Sequence, residues 1–413
     1  MFEVFTLIVA ASALLSYANH KILKLPPTIG VLILSIGLSL LLGALKIVNI
    51  EWFHRACSIV TTLDFRSILF DFLLSFLLFA GALHVNLRSL LKEKTPVMLL
   101  ATLGVVLSTF IAGGLIYFLV IQLHVNISIL QCLIFGALIA PTDPVAVLSL
   151  LQKANVDKKL EIKIIGESLF NDGVGIVVFL SLLAIAGGSS HHGGEVSFST
   201  ISETFLLEAG GGIILGLILG WIGIFFLTSI NDEPIIEVHI TLGIVMAGYA
   251  LAALIGVSGA LAMVIAGIQI GNRLSKPDMP ESLKSNLNTF WNILDEVLNA
   301  ILFVLIGLEI LVLGFELIWT VLGILAIFIV LGARYISIQL TNFITPREHK
   351  SNHKEMLVLT WAGLRGGISI ALALTLTEDL NREPILYITY IVVLFSIIIQ
   401  GLSVGKVVRQ LKL

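Results

Sequence analysis

The stretch ALIAPTDPVAVL, residues 137–148, places two prolines around a Thr-Asp pair inside an otherwise apolar run. Proline has no backbone N–H, so Pro141 and Pro144 each leave a carbonyl group one turn earlier without its helical donor. These two carbonyls belong to Ala137 and Ala140. Backbone that is broken at membrane depth is tolerated only where it is buried in protein or lines a cavity. The stretch therefore predicts a discontinuous membrane helix beside a polar site.

A second interrupted segment, WAGLRGGISIAL, occupies residues 361–372. Glycine weakens a helix, and Gly363, Gly366 and Gly367 surround Arg365. The two interrupted segments lie an odd number of predicted spans apart, so they run through the membrane in opposite directions. This arrangement is typical of inverted-topology transporters, whose site lies near the bilayer midplane. Two unrelated kinks are the alternative interpretation.

Composition indicates that most of the chain lies in lipid. Hydrophobic residues make up 57% of the 413 residues and charged ones 12%, about half the charged fraction of a soluble domain. The mean hydropathy is +1.05. A membrane helix needs roughly 20 apolar residues, and the N-terminal run, which lacks the positive region of a secretory signal, is expected to remain as the first helix. Thirteen spans are predicted, at about 2–19, 28–46, 67–86, 96–121, 129–151, 163–187, 204–228, 235–256, 258–272, 288–313, 316–340, 355–376 and 386–408.

The distribution of lysine and arginine predicts the orientation, because these residues accumulate in cytoplasmic loops. With thirteen spans and an external N-terminus, 18 of the 24 basic residues fall in cytoplasmic segments and four in external ones. Merging the eighth and ninth spans, at the weakest boundary near Gly256, would place the last three basic segments outside. We therefore predict an external N-terminus and a cytoplasmic C-terminus. The short tail after Val408 favours a prokaryotic plasma (inner) membrane.

The spans divide into two halves around a linker. Matching the two interrupted spans gives a first inverted repeat at 1–187, with helices 1–6, and a second at 235–413, with helices 8–13. The helix at 204–228 is the linker. We expect all of this to form one all-α polytopic membrane domain, 1–413, in which helices 5 and 12 are discontinuous and cross.

The sixth span carries two acids in the segment GESLFNDGVGIVVF, residues 166–179. Glu167 and Asn171 are four residues apart and share one helical stripe, and Ser168 and Asp172 share the adjoining stripe. Charges near mid-bilayer are expensive and are usually paired or functional. We expect one acid, Glu167, to pair with Arg365. The other, Asp172, is the expected titrating group.

An all-oxygen cluster is predicted around Asp172. Its other members are Asp143, the hydroxyl groups of Ser168 and Thr142, and the freed carbonyls. Hard cations take oxygen ligands, and the surrounding sequence offers no thiolate or imidazole for a transition metal. A set of purely structural salt bridges is the alternative.

Three charges form a further constellation near the cytoplasmic ends of two spans. Asp295 and Glu296 lie early in the tenth span, and Arg334 lies at similar depth in the eleventh. An ion pair between them is expected, more for structure than for transport.

The sequence resembles the sodium/proton antiporters of the monovalent cation–proton antiporter superfamily, in the NhaP-like branch that includes animal sodium/proton exchangers. The motifs that carry the resemblance are APTDPVAV (140–147), GESLFNDGVG (166–175), GARYIS (332–337) and GLRGGISIAL (363–372). It implies an NhaA-like antiporter fold, a homodimer, and a six-helix core that moves against a dimerising bundle. It also implies that the substrate cation is bound by Thr142, Asp143, Ser168 and Asp172.

The resemblance further implies a coupling network of Glu167, Asn171 and Arg365. The Asn171-Asp172 pair is similar to that of the electroneutral class, whereas electrogenic relatives carry two aspartates. One departure is His84 with Asn86, where many relatives have an acid near the end of the third helix.

We expect a secondary antiporter that exchanges Na⁺ or Li⁺ for H⁺. In this mechanism a proton and a cation compete for one buried carboxylate, and the core moves only when that carboxylate is occupied. The substrates are a monovalent cation and a proton, with the lipid bilayer as surroundings, no cofactor, no nucleic acid and no enzymatic activity. A K⁺/H⁺ antiporter uses the same frame. A channel would need more polar pore-lining residues. An intramembrane aspartyl hydrolase, using Asp143 and Asp172, is the remote alternative.

Overall fold

A computed structural model describes residues 2–48, 68, 73–143, 151, 156–187, 198–230, 233–313 and 316–411. All regular secondary structure in these ranges is helical, and they contain no strand. The predicted all-α class is confirmed. The helices, labelled in chain order, are α1 Phe2–Ala18, α2 Pro27–Val48, α3 Leu74–Leu83, α4 Leu87–Lys92, α5 Lys94–Gln122, α6 Ile129–Ile139, α7 Lys158–Gly187, α8 Phe198–Ser229, α9 Pro234–Ile255, α10 Gly259–Leu274, α11 Glu281–Glu309, α12 Leu317–Ile344, α13 His353–Ala362, α14 Gly367–Leu374 and α15 Arg382–Leu411.

The helices are those of a multi-pass membrane protein. In the described ranges, eight are long and apolar enough to cross a bilayer, and a ninth span results if α13 and α14 are taken together. Each of the thirteen predicted spans contains helix, but α3, α6 and α10 are shorter than a full crossing and α1 has only 17 residues. The count of thirteen therefore stays a prediction. Large apolar side chains such as Trp221, Leu254 and Phe343 are exposed on the outside of the bundle, as contact with lipid requires.

The weakest predicted boundary, between α9 and α10, is a real helix end. Gly256 has a positive φ of 71°, a left-handed conformation that terminates α9 and that glycine adopts at no steric cost. The side chain of Ser258 then caps the start of α10 by accepting a hydrogen bond from the Leu261 amide. The eighth and ninth predicted spans are therefore separate helices.

Two groups of helices can be distinguished by their packing, one around α10 and one around α7. Helix α10 packs mainly against α3 and α8, and glycines on α8 allow close approach: a Cβ on Gly216 would lie 2.6 Å from the Ala262 carbonyl oxygen. Helix α7 packs mainly against α5 and α6. We call these the α10 group (α3, α8 and α10) and the α7 group (α5, α6 and α7).

Polar contacts identify the two ends of the bundle. At one end, the Lys163 ammonium at the start of α7 donates to the His349 carbonyl, so the loops before α7 and α13 meet there. We call this the Lys163 end. At the other end, Gln131 in the capping box of α6 accepts a hydrogen bond from Asn381, which precedes α15. Lys163 and His349 belong to two basic segments that are both predicted to be cytoplasmic. These segments thus lie at the same end of the bundle.

Both predicted interruptions lie at the centre of the bundle. Helix α6 ends at Ile139, and residues 140–143 continue without helical structure. Helices α13 and α14 are separated by residues 363–366 and bent by 52°. The two irregular segments meet, because the Asp143 amide donates to the Leu364 carbonyl over 2.7 Å. The second half of the predicted fifth span, from Pro144 to residue 150, lies outside the described residues.

Candidate ion-binding site

Helix α7 presents the predicted polar residues to the interrupted segments. Glu167, Ser168, Asn171 and Asp172 are all buried, with at most 5% of any residue exposed. The helix can approach the α6 break closely because Gly175 faces the Pro141 ring, where a Cβ would clash. A glycine therefore gives the polar side chains of α7 close access to the break.

Hydroxyl and amide groups join α7 to the first break. The Thr142 hydroxyl lies 2.9 Å from the Ser168 hydroxyl. The Asn171 side chain donates to the Thr142 hydroxyl over 2.7 Å and accepts from the Thr142 amide over 3.2 Å. Asn171 thus fixes both the backbone and the side chain of Thr142, and it turns the two hydroxyl oxygens toward each other.

Two carboxylates accompany these hydroxyls. Asp172 is 5% exposed and interacts electrostatically with Asp143. Asp143 lies against Gly366, where a Cβ would come 2.5 Å from Oδ2, so the second break leaves space for this carboxylate only because a glycine is there. Among the residues that the structure describes, no cation pairs with Asp172 and no hydrogen bond reaches its carboxylate.

The position of Arg365 corrects the prediction that it pairs directly with Glu167: the two charges interact electrostatically, but the hydrogen bonds of Arg365 go to other groups. Its guanidinium donates to the carbonyls of Ala140 and Pro141 over 2.6 and 3.0 Å. Its backbone amide donates to the Ser396 hydroxyl over 2.8 Å. The Ala140 carbonyl is one of the two that the prolines were predicted to free, so Arg365 satisfies backbone left by the first break.

The direct partner of Glu167 is Arg334 of α12, and this ion pair is almost completely buried. The prediction that Arg334 pairs with Asp295 or Glu296 is therefore wrong. Arg334 also lies beside the second break, with Nε 3.1 Å from the position of a Cβ on Gly363. The depth of Arg334 could be estimated from the sequence, but the side of α12 that faces α7 could not.

Asp295 has another role in the structure than the one predicted from the sequence. It is half-buried on α11, and its carboxylate interacts electrostatically with Asp143 rather than with an arginine. Glu296 is exposed. The sequence singled out Asp295 as an acid within an apolar span, but it did not show that this side chain faces Asp143.

Two residues that depart from the family pattern serve the local structure. The His84 side chain lies beside Asn292 of α11. Asn86 caps α4 by accepting from the Ser89 amide over 3.0 Å. Neither of these contacts involves a residue of the predicted ion site.

The arrangement offers oxygen ligands to a hard cation. Two hydroxyls and two carboxylates converge at the crossing of two interrupted segments, where the backbone is neither helical nor open to lipid. Such a set suits Na⁺ or Li⁺ rather than a transition metal. Removal from water disfavours a charged carboxylate, and this favours protonation of a buried acid such as Asp172 when no cation is present.

Comparison with known proteins agrees with this chemistry. Residues 9–410 match the family described as sodium/hydrogen exchanger, transmembrane. The chain is 41% identical to the Na⁺/H⁺ antiporter NhaP of Pseudomonas aeruginosa, with 100% of this chain and 97% of that one aligned. It is 33% identical to the Na⁺/H⁺ antiporter NhaH of Halobacillus aidingensis, over 98% and 97% of the two chains.

A solved structure is similar along the whole chain. The sodium proton antiporter MjNhaP1 from Methanocaldococcus jannaschii superposes with a TM-score of 0.75, at 21% identity, over 98% of this chain and 97% of that one. The predicted antiporter fold is confirmed by this similarity.

Proposed function

The chain belongs to the sodium/hydrogen exchanger family, and we propose that it exchanges Na⁺ or Li⁺ for H⁺ across the membrane, one for one, at Asp172. The observation that carries the proposal is the position of this carboxylate. It is buried beside Asp143 and next to the hydroxyl pair of Thr142 and Ser168, without a cationic partner in the described part of the chain.

Competition for one carboxylate couples the two ions. A proton neutralises Asp172, and Na⁺ neutralises it with help from the hydroxyl oxygens and Asp143. When neither is bound, an uncompensated charge remains in a medium of low dielectric constant. Movement of the site across the membrane is therefore favoured only with an ion or a proton bound, and this restriction makes the exchange obligatory.

The neighbouring polar residues hold the site in place. Asn171 orients Thr142, and Arg365 satisfies the carbonyls of the first break. The ion pair of Glu167 with Arg334 ties α7 to α12 one turn from the site. These residues give the two interrupted segments one defined geometry, which substitutes for the helical hydrogen bonds that the breaks remove.

The movement is proposed to be that of one helical bundle past another. Two inverted repeats, 1–187 and 235–413, with the linker 204–228, would supply the two access states. We also propose a homodimer, an external N-terminus and a cytoplasmic C-terminus, so the Lys163 end faces the cytoplasm. The basic loops that meet at this end support the orientation.

The rival functions are less well supported. The relatives are named as Na⁺/H⁺ antiporters, which does not favour K⁺ as the transported ion. They are transporters rather than enzymes and need no cofactor, so hydrolysis by Asp143 and Asp172 is no longer proposed.

The test is ion exchange in proteoliposomes that contain a pH dye. Na⁺, Li⁺ or K⁺ is added outside, and alkalinisation of the lumen reports H⁺ leaving in exchange. The Na⁺ assays are repeated with the membrane potential clamped at different values by K⁺ and valinomycin. We expect responses to Na⁺ and Li⁺ whose initial rates do not depend on the clamped potential, and none for Asp172→Asn. A response to K⁺ alone would contradict Na⁺ exchange, and unchanged exchange in Asp172→Asn would contradict the site.

A further inference from the structure

A short helix at the Lys163 end presents an amphipathic face to the surroundings. Helix α4 buries Leu90 and exposes Arg88, Leu91 and Lys92. Arg88 and Lys92 are four residues apart, so their side chains project from the same face. Leu91 is 54% exposed between them. A pair of cations beside an exposed leucine is the pattern of a helix that lies at a membrane surface.

An open cleft of about 410 Å³ adjoins this face. It is lined by Leu87, Arg88, Leu91, Lys92 and Asn272. The two charged residues are both basic, and none of the five is acidic. The cleft therefore combines positive charge with apolar surface.

The two basic residues have no acidic partners in the described ranges. By contrast, Lys163, Arg273 and Lys284, which lie in the basic segments predicted to share the cytoplasmic side, each form an ion pair. Within the part of the chain that the structure describes, neither Arg88 nor Lys92 forms such a pair. Their charge is thus available to an anion from outside the chain.

We propose that this cleft binds the phosphate-bearing headgroup of an anionic phospholipid in the leaflet at the Lys163 end. A guanidinium matches a phosphate with two parallel hydrogen bonds, and an ammonium adds a point charge. The exposed Leu91 favours a lipid over free phosphate, because acyl chains cover apolar surface that a soluble ion leaves in water. Basic pockets at the cytoplasmic ends of membrane helices bind such headgroups.

The bound lipid stabilises a connection between the two helix groups. On one side, the Leu87 amide donates to Asn272 of α10 over 2.6 Å, and Asn272 donates to the Val85 carbonyl over 2.8 Å. On the other side, Leu90 packs on α7, where a Cβ on Gly166 would lie 2.7 Å from its Cδ1. Gly166 directly precedes Glu167, so α4 joins the α10 group to the helix that carries the ion site.

Binding is tested on the purified full-length chain in a neutral detergent, from the increase in melting temperature that a ligand causes. The probes are phosphatidylglycerol, phosphatidylcholine and inorganic phosphate. We expect phosphatidylglycerol alone to raise the melting temperature of the wild type. The double variant Arg88→Gln, Lys92→Gln should bind it about 30-fold more weakly.

Two further variants control for charge and folding. The double variant Lys276→Gln, Lys284→Gln removes the same charge from a nearby loop and helix start, and it should keep the phosphatidylglycerol response. Exchange of the two cations, Arg88→Lys with Lys92→Arg, keeps the charge of the cleft and should also keep the response. Retention of the full response in Arg88→Gln, Lys92→Gln, or an equal response to inorganic phosphate, would overturn the proposal.

The consequence for transport rests on the proposed function and is measured separately. In proteoliposomes, we expect wild-type Na⁺/H⁺ exchange to be several-fold faster with phosphatidylglycerol than with phosphatidylcholine alone, and the Arg88→Gln, Lys92→Gln variant to exchange equally in both. Equal wild-type rates in the two lipids would overturn the link to transport. Absence of exchange in every lipid would instead contradict the proposed function and leave the binding result intact.

Discussion

Lys163 and Asp172 lie on the same helix, and both are buried, yet their surroundings differ completely. The Lys163 ammonium donates to the His349 carbonyl and the Ser351 hydroxyl, each over 3.1 Å. It also lies 3.9 Å from a carboxylate oxygen of Glu93 and 3.8 Å from one of Glu355. Asp172 has a second carboxylate, that of Asp143, as its electrostatic neighbour.

The contrast separates structural charge from charge that serves transport. A buried charge with opposite charges and hydrogen bonds around it costs a great deal to disrupt and gains nothing from an added ion. A buried carboxylate beside another carboxylate becomes stable only by binding a proton or a cation. On α7 the first description applies to Lys163, and the second applies to Asp172. Glu167 has an opposite charge beside it in Arg334.

The largest expected effect is the loss of exchange in Asp172→Asn without a loss of stability. The substitution removes a buried charge that has no cationic partner among the described residues. The melting temperature in detergent should therefore be equal to or above that of the wild type, while Na⁺-driven exchange falls to the level of empty vesicles.

A matched control is Asp278→Asn, which removes an exposed acid at the Lys163 end. The hydrogen bond from Arg273 holds the pKa of the Asp278 carboxyl below its usual range. Asp278 is therefore ionised at neutral pH, as a charge control requires. Any stability that the Arg273–Asp278 pair contributes is lost only as the pH falls through the lowered pKa of Asp278. Exchange should be unchanged and the melting temperature should change little, because an exposed ion pair contributes little to stability. A large fall in the melting temperature of Asp172→Asn would show that its charge is structural, and the contrast with Lys163 would fail.

The converse is expected for Lys163→Met. It leaves the carboxylates of Glu93 and Glu355 without their ammonium partner, which costs about 3–5 kcal/mol for a buried pair. The melting temperature should fall clearly, while the KM for Na⁺ of the remaining folded protein stays near that of the wild type. Exposed Lys159→Met on the same helix is the control, with no expected change. A changed KM at unchanged melting temperature would place Lys163 among the residues that serve ion binding.

The Glu167–Arg334 pair can be tested with a double-mutant cycle. Glu167→Gln and Arg334→Gln should each destabilise the protein by about 3–5 kcal/mol, because each leaves one buried charge alone. The variant with both substitutions should recover most of this loss. The same cycle with Glu167→Gln and Arg365→Gln should recover much less, because these two charges interact electrostatically without forming a direct ion pair. Recovery in the second cycle and not in the first would restore the pairing predicted from the sequence.

A smaller effect is expected for Asp295→Asn. This half-buried acid interacts with Asp143, so it attracts cations toward the site without being part of the hydroxyl cluster. Its loss should raise the KM for Na⁺ a few-fold with little change in maximal rate, and the difference should shrink as ionic strength increases. Asp379→Asn, at the opposite end of the bundle, should leave KM unchanged. A complete loss of exchange in Asp295→Asn would make it a ligand of the ion.

Local chemistry predicted much of the site. Pro141 and Pro144 remove backbone donors whatever surrounds them, and three glycines around Arg365 weaken any helix, so both interruptions could be read from residue types. The stripe that joins Ser168 to Asp172 follows from the helical period alone. The meeting of Thr142 with Ser168 and Asn171 agrees with the motif pattern of the family.

The sequence by itself determined which residues are broken out of helices, which are acidic at membrane depth and which family the chain resembles, because these depend on residue type and spacing. Only the tertiary structure decided the partners of the two arginines. Arg334 and Arg365 are equally able to pair with Glu167, and the choice depends on how α12 and the second break are rotated about α7. That rotation is set by close packing among several helices at once, which no single segment of sequence encodes.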